Sequence, residues 1–278
     1  MDKEISLEQR DGASISSLAR ALRLLKALGK GEAGGMRLTD LARTIGCNQP
    51  TAHRAMQELM AEGFAEQVPG SKRYRLGLEF FVTAANANRG EGLRDLARPA
   101  LLRLSSTLSD TIFLLVRSSY DAVCIDRIDG PFPVGSFTGD IGGKVPLGFG
   151  QGGIAILANL PDTEREAIVH YNMPRLLDRG YIDEAAFRGL LAKAAEEGFV
   201  SFNRSLNDGF AGVAVPVFDA RGYAVAALSV GTLSDRLKGE RLSFVVDMLK
   251  SEAKQLSARL NPFDSTLRAP LKSLSSIS

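Results

Sequence analysis

The sequence predicts an α+β protein in two parts: a small helical part that ends in a β-hairpin, and a larger part with helices around a mainly antiparallel sheet. Near the N-terminus, apolar residues recur every three or four positions, which is typical of amphipathic helices. Farther along, short β-branched and apolar runs are bounded by turn residues, which is typical of strands. With 278 residues, 45% of them apolar, the chain is long enough for two cores.

Charge is distributed unevenly along the chain. The formal net charge is only +2, yet residues 12–78 carry ten lysines and arginines against five acids. The two cysteines have neither a disulfide pattern nor a metal-ligand spacing. No apolar stretch is long enough to span a bilayer. We therefore expect a soluble cytoplasmic protein with reduced thiols and no cofactor or metal, whose basic N-terminal block is a candidate for nucleic-acid binding.

Two short helices open this basic block. The first is capped by Ser16 or Ser17 and has four leucines on one face, at Leu18, Leu22, Leu25 and Leu28. A glycine-rich stretch at 29–35 ends it. The second helix begins near Leu38, where Thr39 is placed to accept backbone N–H bonds and is a candidate DNA contact.

A third helix follows a tight turn at Gly46. Asn48 is a favourable N-cap, and Pro50 lies in the first turn, where its missing N–H has no cost. Two helices joined in this way form a helix-turn-helix, whose second helix enters the major groove with its N-terminal residues against base edges. The predicted contacts are Gln49, Thr51, His53 and Arg54. Alternatively, Arg54 is a solvated helix residue and His53 a packed or surface residue.

A hairpin closes the block. Alternating residues at 64–68, the turn 69–71 and the strand 72–76 place Lys72, Arg73 and Arg75 at and after the tip. Such a hairpin is a wing, and its basic residues can lie beside the flanking phosphates. The alternative is a charged edge that protects the hairpin from aggregation.

The rest of the chain predicts a larger domain behind a linker. The expected boundaries are a tail at 1–14, a winged helix-turn-helix at 15–78, a linker helix at 79–92, an effector-binding domain at 93–262 and a flexible tail at 263–278. Strands are expected at 111–117, 122–128, 133–138, 199–202, 212–218 and 223–231, and helices at 93–108, 163–169, 183–197 and 241–259. This mixture resembles GAF or profilin-like sensor domains.

A glycine-rich turn in this domain is the first candidate ligand site. Glycines let backbone N–H groups approach a ligand where a helix begins, and helix N-termini favour anions such as carboxylates. The candidate residues are Gly150, Gln151, Gly152, Gly153 and Ile154. The spacing is not that of a nucleotide-binding loop. The alternative is a turn that only packs tightly.

The facing wall of the pocket is expected from the middle of the sheet. Its candidates are Phe113, Cys124, Asp126, Asn203, Arg204, Val213 and Ser229. Buried polar residues need partners, which favours the polar members of this set as ligands. Arg204 in particular would select a carboxylate by bidentate contact, unless it pairs with a surface acid.

The sequence resembles the IclR family of transcriptional regulators over roughly residues 15–260. The motifs that carry the resemblance are Ser17 to Leu25, Leu38 to Ala42, Thr51 to Arg54, Tyr74 to Gly77, Pro146 to Ala158, Gly212 to Asp219 and Ala227 to Val230. Two departures are visible: Gly152-Gly153 stands where many members have Gly-Lys, and Arg204-Ser205 where many have an acidic pair.

The resemblance implies how the chain functions. Arg20 and Arg23 would reach the DNA backbone from the first helix. The protein would be a homodimer or a dimer of dimers that binds a pseudo-palindromic double-stranded operator under control of a small organic acid, without a membrane role. Two rival classes are an enzyme and a thiol redox sensor with an attached DNA-binding domain. An enzyme would need a nucleophile–base pair, and none is visible in the sequence around His170. A redox sensor would depend on Cys124 alone.

Overall fold

The computed structural model describes residues 16–31, 34–87, 92–131, 140–180, 183–202 and 209–260, with side chains described at all of these except 84–87 and 202. The chain divides into two compact units, Met1–Gly90 and Glu91–Ser278, and the predicted linker helix at 79–92 falls across their boundary. The expected tails at 1–14 and 263–278 and the expected strand at 133–138 lie outside the described residues.

The first unit is a winged helix-turn-helix, as predicted. In chain order its elements are α1 (Ser17–Leu28), β1 (Met36–Arg37), α2 (Leu38–Ile45), α3 (Gln49–Ala61), β2 (Ala65–Gln67), β3 (Arg73–Leu76) and α4 (Leu78–Ala87). Within the described residues the three strands form one antiparallel sheet in the order β1-β3-β2. The sequence analysis missed β1, because two residues give no readable alternation.

Local signals set the ends of these helices. Ser16 caps α1 by accepting the N–H of Ala19, and Asn48 caps α3 by accepting the N–H of Thr51. Gly46 ends α2 in the left-handed conformation at φ +70°. The expectation that Thr39 caps α2 is wrong, since that helix begins at Leu38 and its N-cap position makes no side-chain hydrogen bond.

The leucine stripe predicted for α1 is rotated relative to its true buried face. Leu24 and Leu28 are buried against α2 and α3, whereas Leu18 is 70% and Leu22 49% exposed. Full burial of one leucine is worth about 1.5–3 kcal/mol, so the buried pair anchors the helix. The first two turns of α1 leave two leucines facing solvent.

The second unit places helices on both faces of one sheet. Its elements are α5 (Leu93–Leu108), β4 (Thr111–Ser118), β5 (Asp121–Ile128), β6 (Lys144–Pro146), α6 (Gly150–Ala158), α7 (Asp162–Leu177), α8 (Glu184–Glu197), β7 (Val200–Phe202), β8 (Phe210–Phe218), β9 (Ala224–Leu233) and α9 (Gly239–Arg259). Within the described residues this sheet has six strands in the order β6-β5-β4-β9-β8-β7, paired antiparallel throughout. The predicted α+β class with a mainly antiparallel sheet is therefore confirmed.

Each face of this sheet has its own core. Helices α6, α7 and α8 cover one face, called here the α6 face, where Phe113, Leu115 and Cys124 are buried. Helices α5 and α9 cover the other, called the α5 face. The α7 prediction was too short: His170 lies inside the helix, which continues through Pro174, and not at a helix end.

A buried carboxylate joins the sheet to the C-terminal helix. Asp110 is 1% exposed, and its Oδ1 accepts from Thr232 Oγ1 at 2.6 Å and from Arg236 Nε at 3.1 Å. Its Oδ2 accepts from Arg241 Nη2 at 2.7 Å. Buried charges need this degree of pairing, so the cluster fixes the start of β4 against α9.

Candidate functional site

The exposed face of α3 is a polar surface. Ala52, Ala55, Met56 and Leu59 pack inward, and Gln49, His53 and Arg54 face outward as predicted. Thr51 is only partly exposed, at the edge of the buried side. The residues Leu38, Gln49, Pro50, His53, Arg54 and Gln57 line a shallow depression of about 590 Å³. Sequence reasoning missed Gln57, because it considered only the first turns of the helix.

The three basic residues of the wing differ in their partners. Arg73 donates through Nη1 to the Gly35 carbonyl at 2.8 Å, which ties the hairpin to the chain before β1. Arg75 pairs with Glu66 across the hairpin at 2.6 Å. Lys72 is exposed and has no ion pair within the described part of the chain. Of the three, Lys72 is the cation best placed for a phosphate.

The remaining predicted DNA contacts lie on the two preceding helices. Arg23 is exposed on α1 and Arg20 is half-buried there. Thr39 is exposed in the first turn of α2. All three lie in the first unit, which also holds α3 and the wing.

In the second unit, the glycine-rich turn packs closely on its surroundings. Gly148 and Gly150 have φ of +102° and +70°, which disfavours any other residue. A Cβ on Gly152 would lie 2.8 Å from Leu115 Cδ1, and one on Gly153 would lie 3.2 Å from the Gly148 nitrogen. Every residue of α6 is buried, Ile154 among them, and its N-cap residue Phe149 makes no side-chain hydrogen bond to the first turn. The packing alternative thus explains the glycines.

Gln151 and Ser229, two of the predicted polar ligands, contact each other. Gln151 Nε2 donates to Ser229 Oγ at 3.1 Å and to the Val230 carbonyl at 3.3 Å. The Gln151 amide lies directly over Gly212, where any Cβ would collide with it. Both side chains are buried, so this bond satisfies groups that water cannot reach.

A row of directly paired residues crosses the α6 face beside this bond. Ala214 pairs with Ser229, Ser229 with Phe113, and Phe113 with Arg127. Directly opposed residues in antiparallel strands point to the same face. The Arg127 guanidinium accordingly lies 5.4 Å from the centre of the Phe113 ring, and it also pairs with Asp129 at 2.6 Å. Arg127 was not among the predicted ligands, although it puts a cation on this face.

Two predicted wall residues lie on the opposite side of the sheet. Val213 is buried in the α5 face, because the alternation of β8 directs its neighbour Ala214 toward α6. Asp126 also points toward α5, where its Oδ1 accepts from Arg98 Nη1 at 2.6 Å. Both expectations are corrected.

A β-bulge explains the position of Asp126. Leu114 pairs with Asp126 but Leu115 pairs with Cys124, so Ile125 is an extra residue in β5. A bulge of one residue moves every following side chain to the other face. Cys124 therefore faces α6 as expected, and Asp126 does not. The other two predicted wall residues, Asn203 and Arg204, lie outside the described residues.

The described residues give little support to the rival chemistries. Cys124 is fully buried and donates through Sγ to the Asp126 carbonyl at 3.3 Å. No group of three or more potential metal ligands occurs among the residues that the structure describes. Among the same residues, no helix is both long and apolar enough to cross a membrane.

Comparison with known protein families decides the identity. The model described as the bacterial transcriptional regulator IclR C-terminal domain matches residues 86–258, and the IclR helix-turn-helix domain matches residues 17–69. The chain belongs to the IclR family. IclR-family proteins are DNA-binding transcriptional regulators and not enzymes, so the exposed face of α3 and the wing belong to a DNA-binding domain.

Individual IclR relatives match over nearly the whole chain. The regulator KdgR of Escherichia coli is 28% identical over 252 residues, covering 90% of this chain and 95% of that protein. The glycerol operon regulatory protein of Streptomyces griseus is 30% identical over 224 residues, covering 81% and 87%. The structure of an IclR homologue from Microbacterium hydrocarbonoxydans complexed with 4-hydroxybenzoate matches with a TM-score of 0.75, 24% identity and coverage of 87% and 98%.

Proposed function

We propose that this IclR-family regulator binds a pseudo-palindromic operator as a homodimer or a dimer of dimers, and that a small organic acid controls this binding. It acts in the cytoplasm, on DNA contacted by α3, the wing and α1. The acid binds on the α6 face, at the start of α6. The observation that carries the effector part is the buried first turn of α6, where the N-cap residue Phe149 makes no side-chain hydrogen bond and Gln151 bonds a row of the sheet that contains Arg127.

The chemistry of this place favours a carboxylate. The first N–H groups of a helix have no partner within the helix, and the macrodipole favours negative charge there. Gln151, in this first turn, is bonded to Ser229, and Ser229 shares its row with Phe113 and Arg127. A guanidinium supplies parallel N–H donors that match a carboxylate. Phe113 beside it suits an apolar or aromatic body on the same ligand.

A relative supports this ligand class. The IclR homologue from Microbacterium hydrocarbonoxydans was crystallised with 4-hydroxybenzoate, an aromatic acid. By analogy of fold, we infer that the present chain accepts a molecule with the same kind of charged group, and its exact identity would depend on the residues that line the rest of the pocket.

Exposed apolar residues of the first unit support a homodimer. Leu18 and Leu22 lie four residues apart on α1, and Leu78 and Phe81 of α4 are 73% and 59% exposed. Apolar surface of this kind marks contact sites in soluble proteins. A two-fold dimer would present two copies of α3 to two half-sites one helical turn apart, or a multiple of it, which is why we expect a pseudo-palindromic operator.

Control by the acid requires two arrangements of the dimer. A ligand shifts an equilibrium only if it binds one state more tightly than the other. We propose that the acid favours one spacing of the two α3 helices, and that this changes operator affinity in proportion to the difference in its binding to the two states.

The test is thermal stabilisation of the full-length protein by a panel of small aliphatic and aromatic acids, each paired with its neutral amide. At a ligand concentration of 100 times Kd the expected stabilisation is about 2.7 kcal/mol. We expect an acid to stabilise the wild type and its amide to fail.

Two variants locate the site. Arg127→Gln removes the cation of the row and should abolish stabilisation by the acid. Arg221→Gln removes an exposed arginine from a turn of the same unit and should leave stabilisation by the acid unchanged. Equal stabilisation by acid and amide, or an unaltered response in Arg127→Gln, would contradict the proposed site while leaving DNA binding unaffected.

A further inference from the structure

The exposed face of α3 is centred one helical turn beyond the DNA contacts that the sequence predicted for this helix. Gln57 follows His53 by four positions and Arg54 by three, so it is the surface neighbour of both. With 3.6 residues per turn, it lies opposite the buried side formed by Ala52, Ala55 and Leu59. Gln57 also lines the depression that begins at Leu38 and Gln49.

We propose that Gln57 is a base-reading residue of this regulator, and that it contacts a base pair of its own next to the one read by His53. In homeodomains, a helix-turn-helix variant whose recognition helix lies in the major groove, base-contacting residues occur at positions separated by three, four and seven residues. The set Pro50, His53, Arg54 and Gln57 has this spacing. Thr51 lies outside it, at the edge of the buried side. The proposal deepens the DNA-binding function given by the family and is independent of the effector site.

A hydrogen bond orders the two side chains. Gln57 and His53 are joined through their Nε2 atoms at 3.3 Å. Because an amide nitrogen only donates, Gln57 Nε2 donates one N–H to His53 Nε2, which accepts. The second ring nitrogen of His53, and the second N–H and the carbonyl oxygen of the Gln57 amide, can still bond bases in the groove. Two long polar side chains held in one orientation lose less entropy when they bind bases.

The chemistry of Gln57 predicts which base it selects. A carboxamide donates and accepts at once, which matches the N7 acceptor and N6 donor of adenine in the major groove. A good bidentate pair of this kind discriminates against the wrong base by roughly 5- to 150-fold in affinity. Gln57 carries no charge, so this contact releases no counterion and does not change the salt dependence of binding.

The experiment is selection of operators from a randomised duplex library by the full-length protein, followed by affinity measurements on single-base variants of the selected operator. The compared proteins are wild type, Gln57→Ala, Gln57→Glu, His53→Ala and Gln255→Ala. The last is a matched control, because Gln255 is an exposed glutamine on α9 that bonds Ser251 four residues earlier.

The expected result is a change confined to one base pair of each half-site. Gln57→Ala should relax the preference for adenine there by roughly 5- to 150-fold. Gln57→Glu should shift the preference toward cytosine, whose N4 amino group donates to a carboxylate. Gln255→Ala should select the wild-type operator, and the uncharged variants Gln57→Ala and Gln255→Ala should keep the wild-type salt dependence.

Two results would overturn the proposal. In the first, Gln57→Ala selects the wild-type operator with wild-type affinity. In the second, Gln57→Ala and His53→Ala relax the same base pair, which would make Gln57 only a positioning residue for His53.

Discussion

The two units of this regulator use polar residues in opposite ways. In the first unit, the side chains of His53, Arg54 and Lys72 are exposed, and we expect the fold not to depend on them. In the second unit, Asp110 and Gln151 are buried and are bonded to other protein groups. Recognition of DNA can therefore change without loss of stability, whereas changes in the sensor unit alter its stability and its response together.

The largest effect should come from the buried carboxylate. Asp110→Ala removes the buried carboxylate that accepts from both Arg236 and Arg241, and we expect it to lower the free energy of unfolding by about 3 kcal/mol. Urea unfolding followed by circular dichroism measures this. Asp235→Ala removes a carboxylate that is 92% exposed and paired with Lys238, and it should leave the midpoint unchanged. Equal midpoints for the two variants would mean that the buried carboxylate of the second unit contributes no more to stability than an exposed one.

A smaller effect, on binding alone, is expected in the first unit. Arg54→Ala should reduce the affinity for a selected operator by about 1–3 kcal/mol and leave the melting temperature at the wild-type value, because the side chain is exposed. Fluorescence anisotropy with labelled operator and a melting curve test the two parts. Arg221→Ala, which removes an exposed arginine from the second unit, is the control. A lower melting temperature for Arg54→Ala would show that stability and recognition are not separable here.

A smaller loss of stability is expected when the buried hydrogen bond between Gln151 of α6 and Ser229 is removed. Ser229→Ala removes one of two acceptors of the Gln151 amide, which keeps the Val230 carbonyl, and should lower the free energy of unfolding by about 1 kcal/mol. Ser106→Ala is the matched control, since that serine is exposed on α5. Equal urea midpoints for Ser229→Ala and Ser106→Ala would mean that the hydrogen bond between Gln151 and Ser229 contributes nothing to stability.

The smallest effect is expected at the wing. Lys72→Ala should weaken binding to any DNA by less than about 1 kcal/mol at ordinary salt, and reduce the slope of log affinity against log salt by about one. Arg75→Ala should change the slope less, because its partner Glu66 already neutralises it. DNA titrations of both variants at several salt concentrations measure the two slopes. A larger change of slope in Arg75→Ala than in Lys72→Ala would make Arg75, and not Lys72, the main phosphate contact of the wing.

The sequence predicted features that depend on neighbouring residues. The caps at Ser16 and Asn48, the αL turn at Gly46 and the basic hairpin each rest on a few adjacent side chains with a known preference. The α+β class followed from the same signals. Even here the stripe on α1 was displaced, because its true partner helices were unknown and both sides of the helix carry leucines.

The positions of sensor residues depended on pairing that the sequence does not show. Asp126 and Val213 were assigned to the α6 face, and the structure places both on the α5 face. The bulge at Ile125 has no sequence signal, and register fixes the face of every residue after it. Arg127 was missed for the same reason, because its neighbour Phe113 is known only once β4 and β5 are aligned.

The extra residue in β5 also limits how this protein can be rebuilt. Asp126 and Arg127 lie in their present layers because the bulge accommodates Ile125 before them; if the strand kept its length but paired without the bulge, the acid would lie under α6 and the guanidinium under α5. A chimera that borrows this strand from a relative must therefore keep the bulge or, if the borrowed strand is regular, be one residue shorter at that point. For an engineer who wants a new effector specificity, replacing side chains one at a time is therefore a safer route than transplanting whole strands.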